Sequence, residues 1–448
     1  MTISSRLGSI GRALEDRNYR IHTVGYTASW LTFWGQRLAT GWVAWELTGS
    51  PFLVGVAGFL DLVPVIVLGP LFAALADRLN RLTMVIISAW LGVVQAALLA
   101  ALAFSGSMTY ASLLVLVAMH GVVIALYMPS FSGLLPHLSA KRNLPAAIAF
   151  NSAIGSTAFF VGPALATWMI AADPGYAFAS NAAGYAIYLV SLYRLTVKHA
   201  AARPAVRRSL FGDVGDGVRY AVAHKGIGPL LVLAFFAGLL FQSTQSLMPV
   251  IADGVHGRGE AGLGILQTLS GFGALAAAVW LSVRGRLEGT LALVLAAFAL
   301  FAGAATLFAL SPLFWPAALL IILFGGAQTV FRTGAMTLVQ TAVDDAMRSR
   351  VVGAQHLLQS VAGAGGALGL GALAEVIGVG PALATAGIAA AAVFARVWRR
   401  RAAMALALRR RRHGQVLDQQ VVGMQDRLDQ RHQVAVAVHE VDAMRHDR

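Results

Sequence analysis

Long apolar runs, each close to the roughly 20 residues a helix needs to cross a hydrocarbon core about 30 Å thick, alternate along this chain with short polar turns. The pattern predicts six spans at 22–46, 52–76, 83–105, 109–134, 146–171 and 176–197. A second six follow at 227–251, 262–283, 290–310, 313–338, 351–375 and 379–398. The expectation is an all-α integral membrane protein of twelve transmembrane helices in two groups of six. Its divisions are a polar N-terminal segment (1–20), a first bundle (21–197), a basic linker (198–226), a second bundle (227–398) and a basic, disordered tail (399–448). The basic residues Arg6, Arg12, Arg17 and Arg20 suit residues 1–20 to a surface helix. The two halves echo each other at a fixed offset, Gly121 with Gly325 (325 − 121 = 204) and Gly162 with Gly366, which favours duplicated bundles about an axis along the membrane normal.

Charge tests the count. Loops after even spans carry Arg78 and Arg81, then Lys141 and Arg142, then Arg194 and Lys198, then Arg284 and Arg286, then Arg348 and Arg350; loops after odd spans hold little beyond Arg258. Positively charged loops stay in the cytoplasm, so both termini are expected there, in the cytoplasmic (inner) membrane of a bacterium. The composition agrees: 58% of residues are hydrophobic and 12% charged, against about 25% charged in soluble domains. The net charge of +14 is spread between spans and over Arg399–Arg401 and Arg409–Arg412, which suits anionic lipid headgroups and not nucleic acid. With no cysteine the chain has no disulfide framework or thiolate site. Gly271-Phe272-Gly273 follows no strand and no Walker lysine is present, so no nucleotide, metal or other cofactor is expected, and no enzymatic activity.

Charges inside a bilayer are costly, which makes Arg37 and Asp61 the first functional candidates. Each lies 12 positions from the turn at Gly49 (49 − 37 and 61 − 49), about 15 Å deep on neighbouring antiparallel helices. They are expected to face each other, either as a structural pair or with Asp61 exchanging a proton. Arg332 is the third such charge, placed to meet an anionic substrate or to gate the cytoplasmic half, or, from its shallower depth, to snorkel to the interface. His120 titrates near neutral pH or bonds to a neighbouring helix. Trp30, Trp34, Tyr127, Asn151, Gln242, Gln245 and Gln328 complete the candidates for a cavity wall as a set; singly, the amides suit joining helices and the aromatics lipid-facing packing better than binding solute. Trp42 and Trp45 suit interface anchors.

The turn GPLFAALADRLNR between spans 2 and 3 resembles the signature loop of the major facilitator superfamily, with Asp77, Arg78 and Arg81 on its charged positions and Ala73 and Asn80 replacing two glycines. Asp77 is expected to cap the next helix, with Asn80 in a left-handed backbone. Gly162-Pro163 in span 5 is similar to the stretch found in the superfamily's antiporters, with Ala166 and Thr167 in place of its final glycines. The runs TGWVAWELTGSPFLVG, NLPAAIAFNSA and GVRYAVAHKGIGPLL resemble the enterobactin-exporter-like (transmembrane secretion effector) branch. The resemblance implies the major facilitator fold, and with it a monomer using proton antiport to export a small amphipathic molecule, drug or siderophore-like, by alternating access. Uptake by symport, or a non-transporting sensor or assembly role, is the alternative.

Overall fold

The computed structural model describes residues 11–12, 14–76, 78–196, 210–284 and 290–408, helical throughout with no strand among them. The first half comprises α1 (Arg17–Thr48), α2 (Pro51–Ala76), α3 (Arg81–Phe104), α4 (Tyr110–Leu138), α5 (Leu144–Ala172) and α6 (Pro174–Tyr193). A short helix, α7 (Leu210–Ala223), lies within the expected linker and packs on the second half. That half comprises α8 (Ile227–Ser246), α9 (Gly259–Arg284), α10 (Thr290–Leu310), α11 (Phe314–Ala342), α12 (Asp345–Ile377) and α13 (Val379–Arg399), with a π turn at Val250–Val255 after α8. The result is the expected fold, twelve long helices in two bundles.

Ten of the twelve are long and apolar enough to cross a bilayer. The other two, α1 and α6, carry more polar side chains and satisfy them against each other: Thr32 Oγ1 donates to Asn181 Oδ1 (3.0 Å), and Asn181 Nδ2 to Gln36 Oε1 (2.9 Å). Gln36 Nε2 in turn donates to Gln95 on α3 (3.2 Å), whose amide reaches the Leu116 carbonyl of α4 (3.1 Å). Where no water competes, such a chain fixes helix rotation.

Contacts within each half repeat in the other. α1 packs on α5 and α6, α2 on α4, and α3 on α4 and α6; correspondingly α8 packs on α12 and α13, α9 on α11, and α10 on α11 and α13. The echoed glycines show why. A Cβ on Gly121 would strike the Asp61 carbonyl of α2, and one on Gly325 the Ser270 carbonyl of α9. Each lets α4, or its counterpart α11, lie against its partner backbone to backbone.

Several expectations at the chain ends and turns are corrected. Arg17 to Arg20 form the first turn of α1 instead of a surface helix. Asp16 just before them ties that end down, accepting from Ser139 Oγ (2.7 Å), the Ala140 amide (2.9 Å) and Asn143 Nδ2 (3.1 Å). Burial pushes the Asp16 carboxyl up, but those three bonds and nearby Arg142 outweigh it and hold it below the ordinary carboxylate range. In the signature turn, Asp77 lies outside the described residues. The cap of α3 is Asn80, in extended backbone (φ −67°), its Oδ1 accepting from the Leu82 amide (3.0 Å). Arg78 is exposed, while Arg81 donates to the Gly133 carbonyl at the end of α4 (2.9 Å). The tail is helical over residues 401–408, with Met404 and Leu408 buried, because its apolar positions find cover; Arg409 onward lies outside the described residues.

Candidate functional site

Among the described residues the halves meet chiefly along two lines, α2 against α12 and α5 against α9, with equivalent helices swapped between the two. Along both, the closest glycine approaches lie in the half away from the chain termini, here the far end. A Cβ on Gly55 would strike the Ala367 carbonyl, and one on Gly271 the Phe159 carbonyl. Polar links close the same end: Trp45 Nε1 donates to Asp253 Oδ2 (2.8 Å), and Ser50 Oγ and the Phe52 amide donate to Glu375 Oε2 (2.8 and 3.2 Å). Trp45 thus bridges the halves, where its position had suggested a headgroup anchor. Towards the terminal end the same faces carry Gly69, Gly155 and Gly353, and nothing lies within 4 Å of where their Cβ atoms would be. The halves therefore part, and the space between them opens to the terminal end.

Its closed floor is lined by Trp34, Arg37, Asp61 and His120 from the first half and by Phe241, Gln242, Gln245 and Gln267 from the second. Arg37 Nη1 stands 3.6 Å from Asp61 Oδ2, the expected pair on α1 and α2. The other carboxylate oxygen holds His120 of α4, whose Nδ1 lies 2.7 Å from Asp61 Oδ1. A carboxylate accepts, so Nδ1 donates in that bond, and Nε2 is buried without a protein partner among the described residues. Phe33 packs on the His120 ring (5.4 Å) and Trp34 on the Arg37 guanidinium (5.8 Å). On the opposite wall both amide atoms of Gln245 and Oε1 of Gln267 also lack partners, although these side chains are about nine-tenths buried (9% and 8% exposed). Polar groups held in that state are ready to bond a guest.

The remaining candidates divide differently. Trp30 and Tyr127 line a second cavity inside the first bundle, walled by Tyr185 and Tyr188 and joined to the first through Trp34 and Arg37. Tyr127 stacks on Phe131 (5.3 Å). Asn151 lines neither cavity, because its Oδ1 accepts from Tyr19 (2.9 Å) in the core. Gln328 stands on α11 one turn before Arg332, outside the floor. Gly162 lets α5 approach the Leu31 carbonyl of α1, with Pro163 buried beside it. Sequence reasoning missed the Gln36–Gln95–Asn181 chain, for which amides on helices otherwise fit for lipid were the available signal.

A two-bundle helical fold about a cavity open at one end defines a membrane transporter of the major facilitator class. The transmembrane secretion effector family matches over residues 13–436, and the chain belongs to it. It is 27% identical over 354 residues to the Bacillus subtilis protein described as an uncharacterized MFS-type transporter, YfiS, covering 77% of this chain and 83% of that one. It is 25% identical over 150 residues to the staphyloferrin A transporter of Staphylococcus aureus, 33% of this chain and 38% of that one. A solved POT family transporter in complex with 5-aminolevulinic acid superposes with a TM-score of 0.68 at 12% identity, over 87% of this chain and 97% of that one. The family is one of secondary transporters, not enzymes.

Proposed function

We propose that this transporter exports small amphipathic organic molecules by proton antiport and that its terminal end, with its basic loops, faces the cytoplasm. The carrying observation is Asp61, held in the cavity wall between Arg37 and His120, with His120 Nε2 buried and without a partner among the described residues. A substrate entering from the cytoplasm meets this cluster. When the halves rock to close the terminal end and open the far one, the cluster changes the side it faces, and protons exchange there. The chain works as a monomer, with Arg399–Arg401 against anionic headgroups.

The test uses everted vesicles of a pump-deficient host, acidified inside by respiration. A compound exported by this chain collapses the pH gradient when added, and right-side-out vesicles give no such response. Asp61→Asn should reduce the collapse at least tenfold. Collapse retained in both Asp61→Asn and Asp61→Ala would remove the coupling role, and uptake into right-side-out vesicles would reverse the direction.

A further inference from the structure

Arg332 is absent from the cavity floor and makes no ion pair or hydrogen bond among the described residues. Its direction follows from α11. Trp315, Leu319 and Leu323 are exposed large apolar side chains on the lipid-facing stripe (63, 67 and 46% exposed). Arg332 follows Trp315, Leu319 and Leu323 by 17, 13 and nine residues, which at about 100° per residue turns it roughly 100–180° from that stripe. It is exposed, on the side of α11 turned away from that stripe.

His356 on α12 stands within electrostatic reach of Arg332 and is also exposed. It precedes Ala367, which packs against α2 across the interface, by 11 residues (367 − 356), three turns and about 20°. His356 therefore points at the first half where the halves have parted. The two groups share a level. Arg332 lies eight residues past Phe324, which stacks on the floor residue Phe241 (5.8 Å). His356 lies seven before Gly363, which packs on the floor residue Gln242. Both stand roughly 10–12 Å from the floor towards the terminal end.

No described carboxylate answers them, since the floor's Asp61 already serves Arg37 and His120. An intramembrane arginine without a counter-charge is held by a ligand or by water. Resting on the transporter reading of this cavity, we propose that Arg332 and His356 bind an oxyanion and that the substrate is an amphipathic organic anion. Its carboxylate or equivalent oxyanion sits between these two side chains. Its apolar body reaches the Phe241 and Trp34 rings, with the unpartnered amides of Gln245 and Gln267 taking its polar substituents.

Calorimetric titration of the purified full chain in detergent tests this with three probes of one body: naphthalene-2-carboxylate, naphthalene-2-carboxamide and 2-naphthylmethylammonium. The carboxylate should bind at least tenfold tighter than the other two. Arg332→Gln should erase that preference with carboxamide binding unchanged, Arg332→Lys keep most of it, and His356→Gln weaken carboxylate binding severalfold. Arg401→Gln, at the exposed terminal end, should change nothing. Equal binding of carboxylate and carboxamide, no carboxylate binding, or a preference that survives Arg332→Gln overturns the proposal. The titration needs no transport, so a carboxylate preference without any vesicle response would sink the exporter reading alone. A vesicle response without charge preference would sink this one alone.

Discussion

Asp61 is the residue on which the floor is balanced, because its two oxygens answer two different helices, Arg37 of α1 and His120 of α4. Removing one partner from this part-buried pair strands the other, at a cost of about 1–3 kcal/mol. Asp61→Ala should therefore lower stability by about that amount, and adding Arg37→Ala should restore part of it, as read from thermal unfolding in detergent. No recovery in the double variant would mean the pair contributes little. The Arg37–Asp61 pairing was legible in the sequence, since one turn joins the two helices and counting from it fixes relative depth. The His120 bond was not, because α2 and α4 are separated by α3 and their relative rotation is set by packing at Gly121. For the same reason Trp30 and Tyr127 went to an inner cavity and Asn151 to the core, although all three sit on helices that line the central space.

At the scale of elements, the twelve helices were readable from the alternation of apolar runs and polar turns, while their ends were not. Short-range chemistry decides those ends: Asn80 caps α3, and Asp16 latches the start of α1 to the loop between α4 and α5. The latch gives a pH dependence whose sign is fixed. A carboxyl whose folded pKa is depressed adds stability that is fully present above its unfolded value of about 3.9 and is lost as pH falls through the lower folded value. Asp16→Asn should remove this acid-sensitive share, about 1 kcal/mol after allowance for solvent exposure, and flatten the fall in melting temperature below pH 4. An unchanged acid limb would show that the latch does not stabilise the fold. The linker helix α7 escaped detection because its 14 residues lie in a segment whose basic charge, not its apolar spacing, was the prominent signal.

For the whole molecule, the halves' equivalence was foreshadowed by the 204-residue offset, but which end of the space between them stands open was not. On the proposed rocking mechanism one sequence must suit both states, so only the packing tells which is present. Here small residues and three polar links close the far end, and the same faces stand apart at the terminal end. Transport requires the far end to open. The chain's lack of cysteine makes this directly testable with Gly58→Cys and Ser246→Cys, which span the halves: a Cβ at Gly58 would lie 3.1 Å from Ser246 Cβ, a few tenths of an ångström short of ordinary disulfide spacing. With these two cysteines, oxidation in everted vesicles should abolish the substrate-driven collapse of the pH gradient, and a reductant should restore it. Full collapse from protein shown to be cross-linked would contradict alternating access.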